Sequence, residues 1–165
     1  MSGNVDRREV GDTPTDQTKT DHTETGRSRT VLIGSVGLAI ALTVVHGLAH
    51  VSIPVPTPGV HAVFVLIFLF GLPLAAAGLA SRNRVRTAAI VALVAGLGAL
   101  AFEGVAHFLI ENPDHVASVE SSQGLFGGTA ALSLLGDVVL VAVGAWVLWR
   151  QSQGSSASAR SSSTR

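Results

Sequence analysis

The sequence predicts an all-α integral membrane protein: four transmembrane helices in a bundle, with both termini in the cytosol. Three observations predict it. Four apolar runs, residues 31–53, 61–80, 86–110 and 125–149, each hold roughly 20 residues or more. At about 1.5 Å per residue, that length crosses a hydrocarbon core of about 30 Å. None of the runs alternates polar with apolar, as a strand of a membrane barrel would, and a helix satisfies its own backbone in lipid. The charges, finally, are few and segregated. They make up 13% of the chain, about half the usual share of roughly a quarter, and almost all lie outside the runs.

Residues 1–29 come first, rich in Thr, Asp, Arg and Gly, with five Lys/Arg and six Asp/Glu. Such a segment buries too little apolar surface to offset its ordering entropy, so it reads as a disordered cytosolic tail. Its length and mixed charge argue against a cleaved signal peptide. The first helix follows at 31–53. The first connection, Val55 to Val60, has no Lys or Arg, whereas the second, Ser81 to Arg86, has Arg82, Arg84 and Arg86. The third, Glu111 to Gly124, again has none and carries Glu111, Asp114 and Glu120. Lys and Arg favour the cytosolic side, so connections one and three belong outside the cell membrane. Trp146 and Trp149 beside Arg150 fit an aromatic anchor at the inner interface. Residues 151–165 form a flexible Ser-rich cytosolic tail. Pro73 marks a kink point in helix 2, and Gly34, Gly37, Gly96 and Gly98 allow close helix approach.

The absence of cysteine removes disulfides, thiolate metal sites, iron–sulfur clusters and covalent haem attachment. The only methionine is Met1, which removes a Met-lined Cu(I) site. Nothing resembles a basic nucleic-acid face. The expected surroundings are a lipid bilayer, with room for further copies of the chain or a larger membrane complex.

Two segments match each other. His46-Gly47-Leu48-Ala49-His50 leads to Ile53 and Pro56, and Glu103-Gly104-Val105-Ala106-His107 leads to Ile110 and Pro113, 57 positions on. Both lie at the outer end of an odd-numbered helix. Two parallel two-helix repeats would produce this and would make helices 1 and 3 neighbours; chance likeness between two apolar helix ends is the alternative. Residues four apart share a helix face, so His46 sits beneath His50 and Glu103 beneath His107. At matching depths, the four converge. His61 and His115 lie at the periphery of the same face, and Asp137 lies deeper, at the midpoint of helix 4.

An ionisable residue inside a membrane costs about 2.5–3.5 kcal/mol on insertion scales, so these positions call for a reason. Four readings compete. The groups may be read as interhelical hydrogen bonds only, the property of a cofactor-free structural or assembly subunit. His46, His50, Glu103 and His107 also form a ligand set for a divalent transition metal: Zn, Fe, Ni or Cu. With His61, His115 and Asp137 added, they resemble a descending proton relay, though no comparable group continues to the cytosol. Axial ligation of b-type haem by His50 and His107 suits a four-helix bundle, but the outer loops lack Arg or Lys for the propionates. The working expectation is a His/Glu site near the non-cytosolic face that binds a transition metal or protons. No nucleophile or substrate pocket is apparent, so catalysis is not expected.

Overall fold

The computed structural model describes residues 14–53, 55, 59–119 and 122–162. Among these the chain is helical with no strand: α1 (Pro14–Ser52), α2 (Gly59–Ser81), α3 (Val85–Leu109) and α4 (Gln123–Ser162). All four contain stretches long and apolar enough to cross a membrane, Thr25–Ser52 in α1 and Gln123–Gln153 in α4 among them. The expected bounds of the two middle helices hold to within two residues. The outer two overrun theirs, because extending a formed helix by one residue is far easier than starting one. Residues 1–13 of the expected N-terminal tail, Pro56 and Glu120 lie outside the described residues, as does the side chain of His22.

The helices form a ring. Both α1 and α3 pack chiefly on α4, α3 also packs on α2, and α2 closes the ring on α1 through Leu72–Ser81. Rising positions on α1 meet falling positions on α4: Ala39 lies against Gly136, Thr43 against Ser133 and His46 against Thr129. The α3–α4 seam runs the same way, with Gly96 against Val141 and Glu103 against Ser133. Helices 1 and 3 are therefore not neighbours along their length, as a parallel repeat would have them. They face each other across the diagonal, because short connections place consecutive helices side by side. The two matching segments also differ locally. The first continues the α-helix to Ser52, while Val105–Leu109 forms a π-turn closed by Ile110 N–H to Val105 O at 3.0 Å.

One end of the bundle is apolar inside and built of small residues. Ala88, Ala89, Ala92 and Ala95 form a buried stripe on α3 that packs with Leu32, Val36, Ala76, Ala80, Leu140 and Val147. Without a hydrophobic drive between helices in lipid, such close van der Waals packing is what holds them together. This arginine end also carries Arg29, whose Nη1 donates to Asn83 Oδ1 at 3.3 Å, and Arg150 over the Trp146 ring at 5.4 Å. The opposite, histidine end holds the buried histidines with Glu103 and Asp114.

Two expectations about special residues change. Gly96 and Gly98 do sit at close approaches: a Cβ on Gly96 would meet Val141 Cγ2 at 2.7 Å, and one on Gly98 would meet the Phe68 ring at 2.2 Å. Gly34 and Gly37 instead face outward with nothing within 4 Å. In α2 the irregularity lies just before Pro73. Val65–Gly71 is π-helical and hands over to Leu72–Ser81 through Leu72 N–H to Ile67 O. The wide turn moves aside the carbonyl that the proline ring would otherwise strike.

Replacing Gly96 with Val overpacks the α3–α4 seam, a change that costs about 1–3 kcal/mol. Its thermal midpoint in detergent should fall by several degrees, while Gly34→Ala leaves the midpoint unchanged or slightly raised. Equal midpoints for G96V and the parent would refute the close seam.

Candidate metal centre

Three imidazoles gather at the histidine end. One ring nitrogen each from His46, His50 and His107 lies within 4.8 Å of the others. The ring centroids are 4.7 Å apart for His46 and His50, 4.8 Å for His46 and His107, and 5.7 Å for His50 and His107. His46 and His107 are buried, and His50 is half-buried. The fully buried Phe126 of α4 seals one side, with its ring 4.9–5.6 Å from all three.

The partners of the outer ring nitrogens determine where the protons sit. The one hydroxyl proton of Thr129 has acceptors in its own helix, Leu125 O at 2.9 Å and Phe126 O at 3.0 Å. Given to the helix, it leaves the oxygen to accept from His46 Nδ1, 3.1 Å away; given to Nδ1, it puts the His46 hydrogen on Nε2. His107 Nδ1 lies 2.7 Å from the backbone carbonyl of Asp114, which can only accept, so this nitrogen is protonated. With the Thr129 proton on its own helix, both Nε2 atoms of the neutral rings bear lone pairs, and these two atoms face each other at 3.1 Å. Two acceptors at that distance repel unless a proton or a cation lies between them.

The loop after α3 holds His107 in place. Asn112-Pro113-Asp114-His115 has the composition of a β-turn, with Pro in the second position, and His115 N–H closes it on Asn112 O at 3.0 Å. The Asn112 side-chain amide donates to Ala106 O and Ile110 O, which the helix end leaves over. Its carbonyl accepts from Asp114 N–H at 2.7 Å. The turn thus places the Asp114 carbonyl under His107 and buries the Asp114 carboxylate, which is 3% exposed. That carboxylate accepts from His61 Nδ1 at 3.1 Å and has its other oxygen 4.0 Å from His50 Nδ1.

Three of the four ligands expected from the sequence therefore come together, and Glu103 takes another partner. Its Oε1 accepts from Ser133 Oγ at 3.0 Å, and Ser133 in turn meets Thr43 Oγ1 at 3.3 Å. Glu103 is level with Thr43, whereas His107 is level with His46. Counting from apparent helix ends misses this offset, because it cannot see how far one helix is displaced along the bundle against another. His61 reaches the cluster only through Asp114, and its ring packs edge-on against Phe102. His115 is a cap: its Nδ1 accepts from Ala117 N–H at 3.1 Å. Asp137 is buried one turn beyond Ser133 on the same face of α4, and its Oδ2 has no partner among the described residues.

Sequence reasoning missed Asp114 as a site residue, although Asn-Pro-Asp was legible as a turn. Thr129 bonds to its own helix and meets His46 Nδ1 besides, while Ser133 turns to Glu103. The chain matches no protein-family model, no curated protein and no solved structure.

Histidine-selective ¹⁵N spectra in bilayers should show Nδ1 protonated in both His46 and His107. Thr129→Val keeps the shape but removes the acceptor, so the His46 signal should become a tautomer mixture while His107 stays unchanged. An Nε2-protonated His107 in the parent protein would contradict the assignment.

Proposed function

We propose that this is a membrane-embedded metal-binding protein in which His46, His50 and His107 hold one divalent transition-metal ion. The observation that carries the reading is the pair of Nε2 atoms facing each other at 3.1 Å while the Nδ1 atom of each ring has a polar partner elsewhere. Metal-binding histidines characteristically donate the other ring N–H to a carbonyl or similar acceptor, which fixes tautomer and direction. Tetrahedral bonds of about 2.0–2.1 Å set neighbouring nitrogens about 3.3 Å apart, close to the 3.1 Å between His46 and His107, while the three-nitrogen set spreads to 4.8 Å, so His50 would have to move in. Imidazole ligands suit Zn, Cu, Fe or Ni and disfavour Ca and Mg. Three ligands also leave a tetrahedral ion one open position, and the side away from Phe126 faces a cavity.

Lys/Arg placement supports an orientation with the histidine end on the non-cytosolic side. The acidic third connection would then attract cations towards the site. The same facing nitrogens would hold a shared proton, and that is the second reading. Glu103, Ser133 and Thr43 form a separate hydrogen-bonded set further in, with Asp137 one turn beyond, and no hydrogen bond among the described residues joins them to the cluster, so a proton path would need water between. Haem fits less well: His46 and Phe126 pack within 6 Å of both His50 and His107, where a macrocycle would need a slot.

Protein purified in detergent without chelators should carry about one equivalent of metal by elemental analysis, without a Soret band. His46→Ala and His107→Ala should abolish it, and His115→Ala should retain it. Thr129→Val should weaken affinity by about 10–100-fold, the usual effect of losing an orienting partner. Affinity should fall as pH is lowered, because protons compete for the same lone pairs. Metal-free protein that also fails to bind added Zn²⁺ or Cu²⁺ would overturn the metal reading and leave the shared proton.

A further inference from the structure

A cavity of about 560 Å³ lies between α1 and the first half of α2, within the range of about 300–1,000 Å³ typical of small-molecule sites. Its wall is apolar, and part of that wall is the outer surface of the bundle. Val44, Leu48 and Val51 of α1 and Leu66 of α2 line it, yet they are 44–83% exposed. The cause lies in the ring. Leu72–Ser81 of α2 packs on α1, but Gly59–Gly71 touches α1 only sparsely. The seam is closed at the arginine end and splayed at the histidine end, so the cavity opens sideways at bilayer depth.

The inner lining is polar. Glu103 lines the cavity, is 1% exposed, and has Oε2 without a hydrogen-bond partner among the described residues. His50, also in the lining, leaves Nδ1 unpartnered in the same way. An unpartnered buried polar atom costs about 1–3 kcal/mol. No lysine or arginine lines the cavity to attract an anion. A charged head would have to enter through hydrocarbon at high cost. A hydroxyl suits the site, since it both donates and accepts and is neutral.

We propose that the α1–α2 seam is a lateral port, and the cavity a binding site for a bilayer-dissolved alcohol or phenol. Its apolar body fills the space between Leu48 and Leu66, and its hydroxyl meets Glu103. This requires no metal at the histidines and stands apart from the metal reading.

The test uses the full chain in phosphatidylcholine vesicles and a diazirine-bearing octanol as probe, with the diazirine-bearing octane that lacks the hydroxyl as comparison. The expected result is saturable photolabelling at Val44, Leu48 and Leu66, about tenfold above Leu97 and Leu135, which face lipid elsewhere on the bundle. The octane should give no such excess. Uniform labelling of all lipid-facing residues would overturn the proposal. So would equal labelling by the octane, since the cavity would then take acyl chains only. Glu103→Leu should remove the excess and Glu103→Gln should keep most of it. If E103L does not fold, Leu66→Trp, which fills the port from the lipid side, should lower labelling at Val44 by about tenfold. Unchanged labelling in L66W would refute the port. Metal content measured on the same vesicles separates the two readings, because alcohol binding without metal would count against the metal site alone.

Discussion

A single line of close polar contacts ties the histidine end together. It runs from Thr129 on α4 through His46 on α1 and His107 on α3 to the Asp114 carbonyl in the loop. A hydrogen bond in such a line is worth only about 0.6–2 kcal/mol between membrane helices. Leaving any member unpaired in hydrocarbon would cost several kcal/mol. The line therefore constrains far more than it stabilises. It fixes the rotation of two imidazoles and is met only at the axial offset that packing along the seams provides.

The bundle divides its work between its two ends. At the arginine end, alanine and glycine bring helices close, and packing alone supplies cohesion. At the histidine end the α1–α2 seam splays and polar side chains take over. The two arrangements depend on each other. Tight alanine packing over Leu72–Ser81 anchors α2 while its first half diverges, and the π-turn at Val65–Gly71 lies at the change. A second π-turn, Val105–Leu109, carries His107 itself. Such turns are uncommon and recur at functional sites. Here one lies beside the cavity and the other within the cluster.

Much of the fold was legible because lipid imposes simple rules. A run of about 20 apolar residues has few options besides a helix, so four helices and the approximate bounds of the middle two could be read directly. The spacing His46-x3-His50 likewise puts two imidazoles on one face whatever else the chain does. Helix adjacency was not legible. The matching segments pointed to α1 and α3 as neighbours, whereas the ring sets them on a diagonal. Glu103 was placed level with His46 because both begin a matching segment, yet the bundle puts it level with Thr43. Gly34 and Gly37 carry the same small side chain as Gly96 and Gly98, and only their neighbours tell them apart.

By itself, then, the sequence determined the membrane class, the four spans, their helical form and a wider His/Glu set from which the structure gathers three histidines. These follow from chain-local physics: hydrophobic length, backbone hydrogen bonding and the helical repeat. Tertiary structure alone decided that His107 rather than Glu103 meets His46, that Asp114 and Thr129 orient the rings, and that a cavity opens between α1 and α2. Those facts depend on axial offset and rotation between helices far apart in the chain. A sequence pattern carries no record of such displacements, because they are set by the sum of many small contacts along each seam.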